Sequence, residues 1–291
     1  MIQMDPIFII GAPRSGTTVL HRALCAHPQV SWLSGLAVRY PARPGLNRRL
    51  MQALDLPLVG RWASRRFRPW EGYDFWEYHC RGFRRPYRDL LAQDASARTQ
   101  RYLPPVFRQL ASPRRPQLLI KITGWPRIGF LRQVFPQARF VHIIRDGRAV
   151  ANSLIKTDFW QGWGGPDHWR WGPLTEAQAA RWAQTGQAFI ALAGLQWEIL
   201  LQAAAQASAG LDAATYLEVR YEALCADPAG VIQQIATFCG LPWQASFAAQ
   251  VAARPWHNRN DKWQQDLTPA QQAALQAILH DSLGRYGYES A

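Results

Sequence analysis

Four short apolar runs, Pro6–Ile10, Gln117–Ile122, Arg139–Ile144 and Thr215–Tyr221, stand out along the chain. Each is rich in β-branched residues, as strands buried on both faces of a parallel sheet should be. Helical patterns separate them: Thr17–Ala26, Pro126–Phe135, Gly147–Lys156 and a long stretch from Thr175 to about Ala207. Thr175-x-x-Gln178 reads as the capping box that opens the long stretch. Pro228–Gly240, with Asp227 as N-cap, and Thr268–Arg285 complete the set. Strands alternating with helices predict an α/β fold, a parallel β-sheet flanked by helices, with ligands bound at the carboxyl ends of the strands.

Two stretches break this rhythm. Residues 39–116 are rich in Arg, Pro and Trp and show no clear strand. Residues 158–173 form a Gly/Pro/Trp loop too long for a simple connection. Long irregular insertions in compact domains are usually lids or binding loops, so both are expected to shape a pocket. With no internal repeat and no low-complexity linker, residues 1–291 read as a single domain.

Composition narrows the partners. A chain of 291 residues that is 48% hydrophobic can bury a substantial core and is not disordered. Its net charge of +13 favours anionic partners. The arginines are spread along the chain, densest between 61 and 88, and nucleic-acid reader motifs are missing, so nucleic acid is not the expected partner. Fourteen tryptophans suggest aromatic surfaces kept for a ligand or a membrane-facing patch. Cys25, Cys80, Cys225 and Cys239 are far apart without metal-ligand spacing, and no metal is expected. Neither a signal-peptide pattern nor an apolar run of membrane-spanning length is present, which makes the cytoplasm the expected compartment. The oligomeric state is not readable.

The first chemical motif is Gly11-Ala-Pro-Arg-Ser-Gly-Thr-Thr18, between the first strand and its helix. A strand–loop–helix leaves backbone N–H groups free at a helix N-terminus, where an anion is favoured. The Gly11-x-x-x-x-Gly16 spacing fits a nucleotide-triphosphate P-loop, yet Thr17 stands where the phosphate-reaching lysine belongs and the cation is Arg14. The second motif ends the third strand: Arg145-Asp-Gly turns into a helix bearing Ser153. An arginine and a hydroxyl so placed can converge on one tetrahedral anion, or Arg145-Asp146 can simply cap the helix. Two later segments follow, Tyr216-Leu-Glu-Val-Arg-Tyr-Glu-Ala-Leu224 and Asn258-Arg-Asn-Asp-Lys-Trp263.

These motifs, in this order, resemble those of sulfotransferases that use 3′-phosphoadenosine-5′-phosphosulfate (PAPS), especially the Golgi and bacterial branches. The resemblance covers residues 6–35 and 117–286. It implies a P-loop-like fold and in-line sulfuryl transfer from PAPS to an acceptor hydroxyl or amine, leaving adenosine 3′,5′-bisphosphate (PAP). It places the 5′-phosphosulfate on Arg14, Ser15, Gly16, Thr17 and Thr18, and the 3′-phosphate on Arg145 and Ser153. Tyr221, Arg259 and Lys262 complete the nucleotide site. Lys121, in the second strand, matches a strand-end lysine of tyrosylprotein sulfotransferases, which makes it and Arg14 candidates for charge on the leaving group. Both also fit plainer roles, Arg14 in a loop salt bridge and Lys121 as a solvated strand-edge charge.

In tyrosylprotein-type relatives a glutamate follows the His-Pro that ends the loop helix. Here His27-Pro28 is present but Ser34 falls at the carboxylate's position, and a serine needs its own activator to take a proton. The segment Arg68-Pro-Trp-Glu-Gly-Tyr-Asp-Phe-Trp-Glu-Tyr-His79 offers Glu71, Asp74, Glu77 and His79 among aromatics. Glu71 is the first choice for the base, although a helix-start carboxylate fits it too. The acceptor, whether small molecule, glycan, lipid-linked group or peptide, is not readable. The competing readings are a P-loop kinase or NTPase, which lacks its lysine, and a non-catalytic module that binds polyanions.

Overall fold

A computed structural model describes residues 5–84 and 87–288. Of the arginines clustered between 61 and 88, Arg85 lies outside the described residues. Five strands, β1 (Ile7–Gly11), β2 (Val30–Trp32), β3 (Gln117–Thr123), β4 (Arg139–Ile144) and β5 (Tyr216–Arg220), form one sheet in the order β2-β3-β1-β4-β5. Every pairing is parallel. β1 is central, with β3 on one side and β4 on the other, so the topological switch point falls at its carboxyl end.

Strand alternation sorts the side chains between two cores. Ile7 and Ile9 of β1, Leu119 of β3 and Val141 and Ile143 of β4 pack with the helices Thr17–Leu24 and Pro228–Phe238. Phe8 and Ile10, Ile120 and Ile122, and Phe140 pack on the opposite face with Ala97–Arg108 and Ile128–Val134. A third core forms around the helix Phe189–Ser208, which lies against Gly147–Leu154 and Pro269–Arg285. Its buried Glu198 accepts from Arg181 Nη1 at 2.6 Å and from Ser282 Oγ, so the carboxylate is paired on both sides.

Three features depart from the sequence reading. β2 is only three residues long and was not expected. The long helix from Thr175 is two helices, Glu176–Gln184 and Phe189–Ser208, broken where Gly186 and Gln187 take positive φ of 66° and 55°. The Thr175–Gln178 capping box is formed at the first of them. The stretch 39–116 is not irregular: it carries the helices Gly45–Ala53, Pro57–Arg66, Tyr73–His79 and Ala97–Arg108. Its Phe75, Trp76, Phe83 and Phe107 belong to the second core.

Buried titratable groups make the stability depend on pH. Burial, aided by nearby cations, pushes His21 down to about 3 and His142 to about 4. Burial pushes Asp89 up to about 6, even though its carboxylate accepts from the Arg127 amide at 2.8 Å. An unfolded histidine binds its proton near pH 6.5. Below that pH the unfolded chain takes protons the folded chain refuses, so stability falls as pH drops, by about 1.4 kcal/mol per unit per histidine. Asp89 acts oppositely between about pH 4 and 6, because it stays protonated when folded and ionises when unfolded. The urea midpoint is therefore expected to fall from pH 6.5 to 5, less steeply in His21→Leu and more steeply in Asp89→Asn. A flat wild-type profile would contradict this assignment.

Candidate active site

The loop after β1 is held open by its backbone. Arg14 and Gly16 both have positive φ, 73° and 94°, a conformation that glycine alone adopts freely. A Cβ on Gly16 would stand 2.5 Å from the Tyr221 ring, so position 16 needs glycine for space as well. The amides of Val19 and Leu20 donate to the Gly16 carbonyl. The amides of Gly16, Thr17 and Thr18 are left without a protein acceptor among the described residues. Ser15 is buried and its hydroxyl has no partner among the described residues. A ring of unsatisfied donors at a helix start fits an oxyanion such as phosphosulfate.

Arg145, just past β4, lies behind the loop. Its Nη1 donates to the Arg14 carbonyl (3.0 Å), its Nε to Asn260 Oδ1 (2.8 Å) and its Nη2 to the Arg259 carbonyl (2.9 Å). The guanidinium stacks on Tyr221 at 4.3 Å, and Tyr221 Oη donates to the His257 carbonyl at 2.8 Å. Burial lowers the Arg145 pKa from its usual value. With three of its five N–H groups spent on the protein, Arg145 keeps two for a ligand. Ser153 Oγ accepts from Arg14 Nε at 2.9 Å, so Ser153 meets the loop cation as well as lying near Arg145 in the motif. Arg259 and Lys262 are exposed on the segment that Arg145 ties down.

In front of the loop opens a cavity of about 650 Å³. Arg14, Thr17 and Thr18 reach it from the loop, Lys121 and Thr123 from β3, and Glu71 and Tyr73 from the middle segment. Lys121 Nζ stands 2.7 Å from Glu71 Oε1 and 2.8 Å from Thr18 Oγ1. Thr123 Oγ1 contacts both Glu71 oxygens at 3.3 Å. Tyr73 Oη donates to the Thr123 carbonyl (2.6 Å) and accepts from the Thr123 amide (3.0 Å), and burial raises its pKa. Trp160, Trp169 and Trp171, from the 158–173 loop, wall the far side.

Glu71 arrives by backbone pairing. Ser34 and Pro69 form an antiparallel bridge, and the Trp70 amide donates to the Leu33 carbonyl at 2.8 Å. Ser34 itself is buried, donates to Asn47 Oδ1 and caps the helix Gly35–Arg39, so it is spent on structure. The other candidates for the base are engaged too. Asp74 pairs with Arg84, Glu77 accepts from the amides of Gly82 and Arg84, and His79 sits between Tyr102 Oη and the Pro41 carbonyl.

The structure therefore brings Arg14, Thr17, Thr18, Lys121 and Glu71 to one cavity. Arg145 and Tyr221 form a layer behind the loop, and Lys262 is not joined to either group. Thr123 and Tyr73 were missed. Both are two residues from a named candidate, and on a strand that spacing places Thr123 on the same face as Lys121.

A phosphate-type loop at the switch point of a parallel sheet, backed by a buried arginine and faced by a lysine–carboxylate pair, defines a P-loop-type α/β transferase fold. The model of the sulfotransferase family matches residues 6–245, and the chain belongs to that family. The match runs through 39–116, where the resemblance by motif had a gap. Among solved structures the chain is similar to sulfotransferase STF9 from Mycobacterium avium at 20% identity, covering 99% of this chain and 78% of that one, with a TM-score of 0.60. It is similar to the sulfotransferase domain of the curacin biosynthetic pathway at 16% identity, covering 99% of both chains, TM-score 0.56. The sulfotransferase domain of the Synechococcus PCC 7002 olefin synthase gives 18%, 100% and 98% coverage, and 0.50. At these identities the likeness is one of fold. No curated protein matches the chain.

Gly16→Ala is expected to cost about 1–3 kcal/mol of stability, since the left-handed backbone and the Tyr221 ring both oppose a methyl group. Calorimetric titration should show PAP binding lost in a variant that is still folded at low temperature. Unchanged stability and binding would show that the loop does not need this geometry.

Proposed function

We propose that the cavity transfers a sulfuryl group to an acceptor hydroxyl or amine, with Lys121 and Glu71 as the working pair. The observation that carries this reading is the placement of Lys121 Nζ, within 2.8 Å of both Glu71 and the loop hydroxyl of Thr18. Bound PAPS supplies the activated sulfuryl group and a phosphate that gathers negative charge as it leaves. The free amides of Gly16, Thr17 and Thr18, with the Ser15 and threonine hydroxyls, hold the phosphosulfate. Arg14 and Lys121 stabilise the charge on the leaving phosphate, an effect typically worth about 10² to 10³ in turnover for one such donor. Ser153 and the two remaining N–H groups of Arg145 take the 3′-phosphate, Tyr221 supports that arginine, and Arg259 and Lys262 close the rim.

Glu71 accepts the acceptor's proton. Lys121 and Thr123 grip its carboxylate from two directions, so its orientation is set before the acceptor enters. The tryptophan walls suit flat acceptors: a small molecule, a glycan, a lipid-linked group or a peptide side chain. A phosphoryl-transfer reading is disfavoured by Asp146, the candidate for a magnesium ligand just past the end of β4. Its carboxylate is bound by the amide and guanidinium of Arg148. We read the chain as one domain, because the three cores share the sheet and the helix packing around it, and as cytoplasmic. Four free cysteines, and no helix of the described residues long and apolar enough to cross a membrane, support the second point.

Two measurements test these roles. Ser153→Ala should weaken PAP about tenfold more than it weakens adenosine 5′-monophosphate. The bond to the 3′-phosphate is lost with PAP only, whereas loss of the Arg14 contact acts on both nucleotides alike. Equal weakening of both nucleotides would remove Ser153 from that site. In an acceptor screen, Glu71→Gln should lower kcat about 10² to 10⁴-fold with an aliphatic alcohol and far less with an acidic phenol, leaving PAP affinity intact. Equal losses with both acceptors would show that Glu71 is not the base.

A further inference from the structure

The helix Pro57–Arg66 rests on the body of the protein through a very narrow stripe. Of its side chains, Ala63 is buried, and a Cβ on Gly60 would stand 2.3 Å from the Leu54 carbonyl. Two small residues three positions apart let the helix backbone approach closely, while Pro57, Leu58, Val59, Trp62, Ser64, Arg65 and Arg66 are exposed. Leu58 is 83% exposed and Trp62 62%, with Val59 and the preceding Leu56 also exposed. At 100° per residue, Leu58, Val59 and Trp62 share one sector with Arg65 and Arg66, both exposed. Soluble helices put such a sector inside. Here the apolar sector faces out, with arginines at its end.

Beside this helix runs an open groove of about 750 Å³. Leu56, Gly60 and Phe67 line one side, and Arg22, Arg68 and Arg254 contribute positive charge. Arg254 is half-buried; its Nη2 donates to the Arg22 carbonyl at 2.9 Å, and its buried Nε has no partner among the described residues. Arg22 and Pro69 also line the active-site cavity, so groove and cavity are neighbours.

We propose that this face docks on an anionic phospholipid bilayer. Leucine, valine and tryptophan enter the boundary between headgroups and acyl chains, Arg65 and Arg66 extend to the phosphates, and the groove arginines receive a headgroup. The occupant follows from charge and shape together. The exposed apolar residues lie on one convex helix face, as a bilayer requires, and the cations beside them need an anionic surface. A net charge of +13 adds long-range attraction to the same surface. The proposal stands independently of the sulfuryl-transfer reading, because none of these helix residues belongs to the cavity.

The test is flotation of the full chain with vesicles of phosphatidylcholine alone or mixed with phosphatidylglycerol, at low and high salt. Wild type should float with the mixed vesicles only, and less at high salt. The double variant Leu58→Glu/Trp62→Glu should bind about tenfold more weakly or worse, and Arg65→Glu/Arg66→Glu should lose the preference for phosphatidylglycerol. PAP affinity should stay the same in all three, which also shows that they are folded. The proposal is overturned if wild type does not float at low salt. It is equally overturned if the Leu58/Trp62 variant floats as well as wild type, which would leave only bulk charge. A wild-type dimer that becomes a monomer in that variant, with no vesicle binding in either, would make the face a contact between two copies of this chain.

Discussion

The active site rests on one buried cation. Buried donors left unmet in a low-dielectric interior cost several kcal/mol, so three of the five N–H groups of Arg145 are met by two backbone carbonyls and the Asn260 side chain. Those acceptors come from the loop, at Arg14, and from the far segment, at Arg259 and Asn260. Tyr221 lies between the arginine and Gly16, stacked on the former and in contact with the latter. One guanidinium thus joins the ends of β1, β4 and β5 to the segment 257–260. The left-handed turn of the loop is the shape that remains when all four meet.

A second cation organises the opposite side. The period of two along β3 turns Lys121 away from Ile120 and Ile122 toward the loop helix, where it is nearly buried. A buried ammonium needs a carboxylate, and β3 itself has none to give. Glu71 meets that need from the middle segment, delivered when residues 69 and 70 pair with residues 33 and 34. Ser34 joins that pairing by its backbone and spends its side chain on Asn47 and on the cap at Leu36.

What could be read from the sequence divides along similar lines. The buried strands announce themselves because both faces are apolar, and β4 has the bounds expected from its pattern. The loop was legible because glycine at two positions and an arginine between them have few other uses in that context. β2 was not, since three residues are too few to show a period. The helices between 39 and 116 were hidden by their prolines and arginines, and Ala97–Arg108 even holds Pro104 and Pro105 within it. Arg145 could be named as an anion ligand by motif, but its three bonds to protein acceptors are long-range contacts that no local pattern encodes. The choice of Glu71 over Asp74 and Glu77 was open on composition. Geometry separates them, because the latter two hold Arg84 and the turn at Gly82.

Donor and acceptor functions then fall on different parts of the chain. On the proposed reading the loop, β3, the end of β4 and the segment near 260 make the anion sites, and β1, β3 and β4 belong to one sheet. The middle segment and the tryptophan loop make the rest of the cavity, and the former meets residues 33 and 34, just past β2, by backbone pairing. Glu71 belongs to the second group but acts on the first, four residues beyond Phe67 on a segment that begins with the exposed helix Pro57–Arg66. A surface that holds this helix would hold the segment carrying Glu71, the proposed base. Acceptor delivery and acceptor activation would then depend on the same short stretch of chain, leaving the nucleotide side undisturbed.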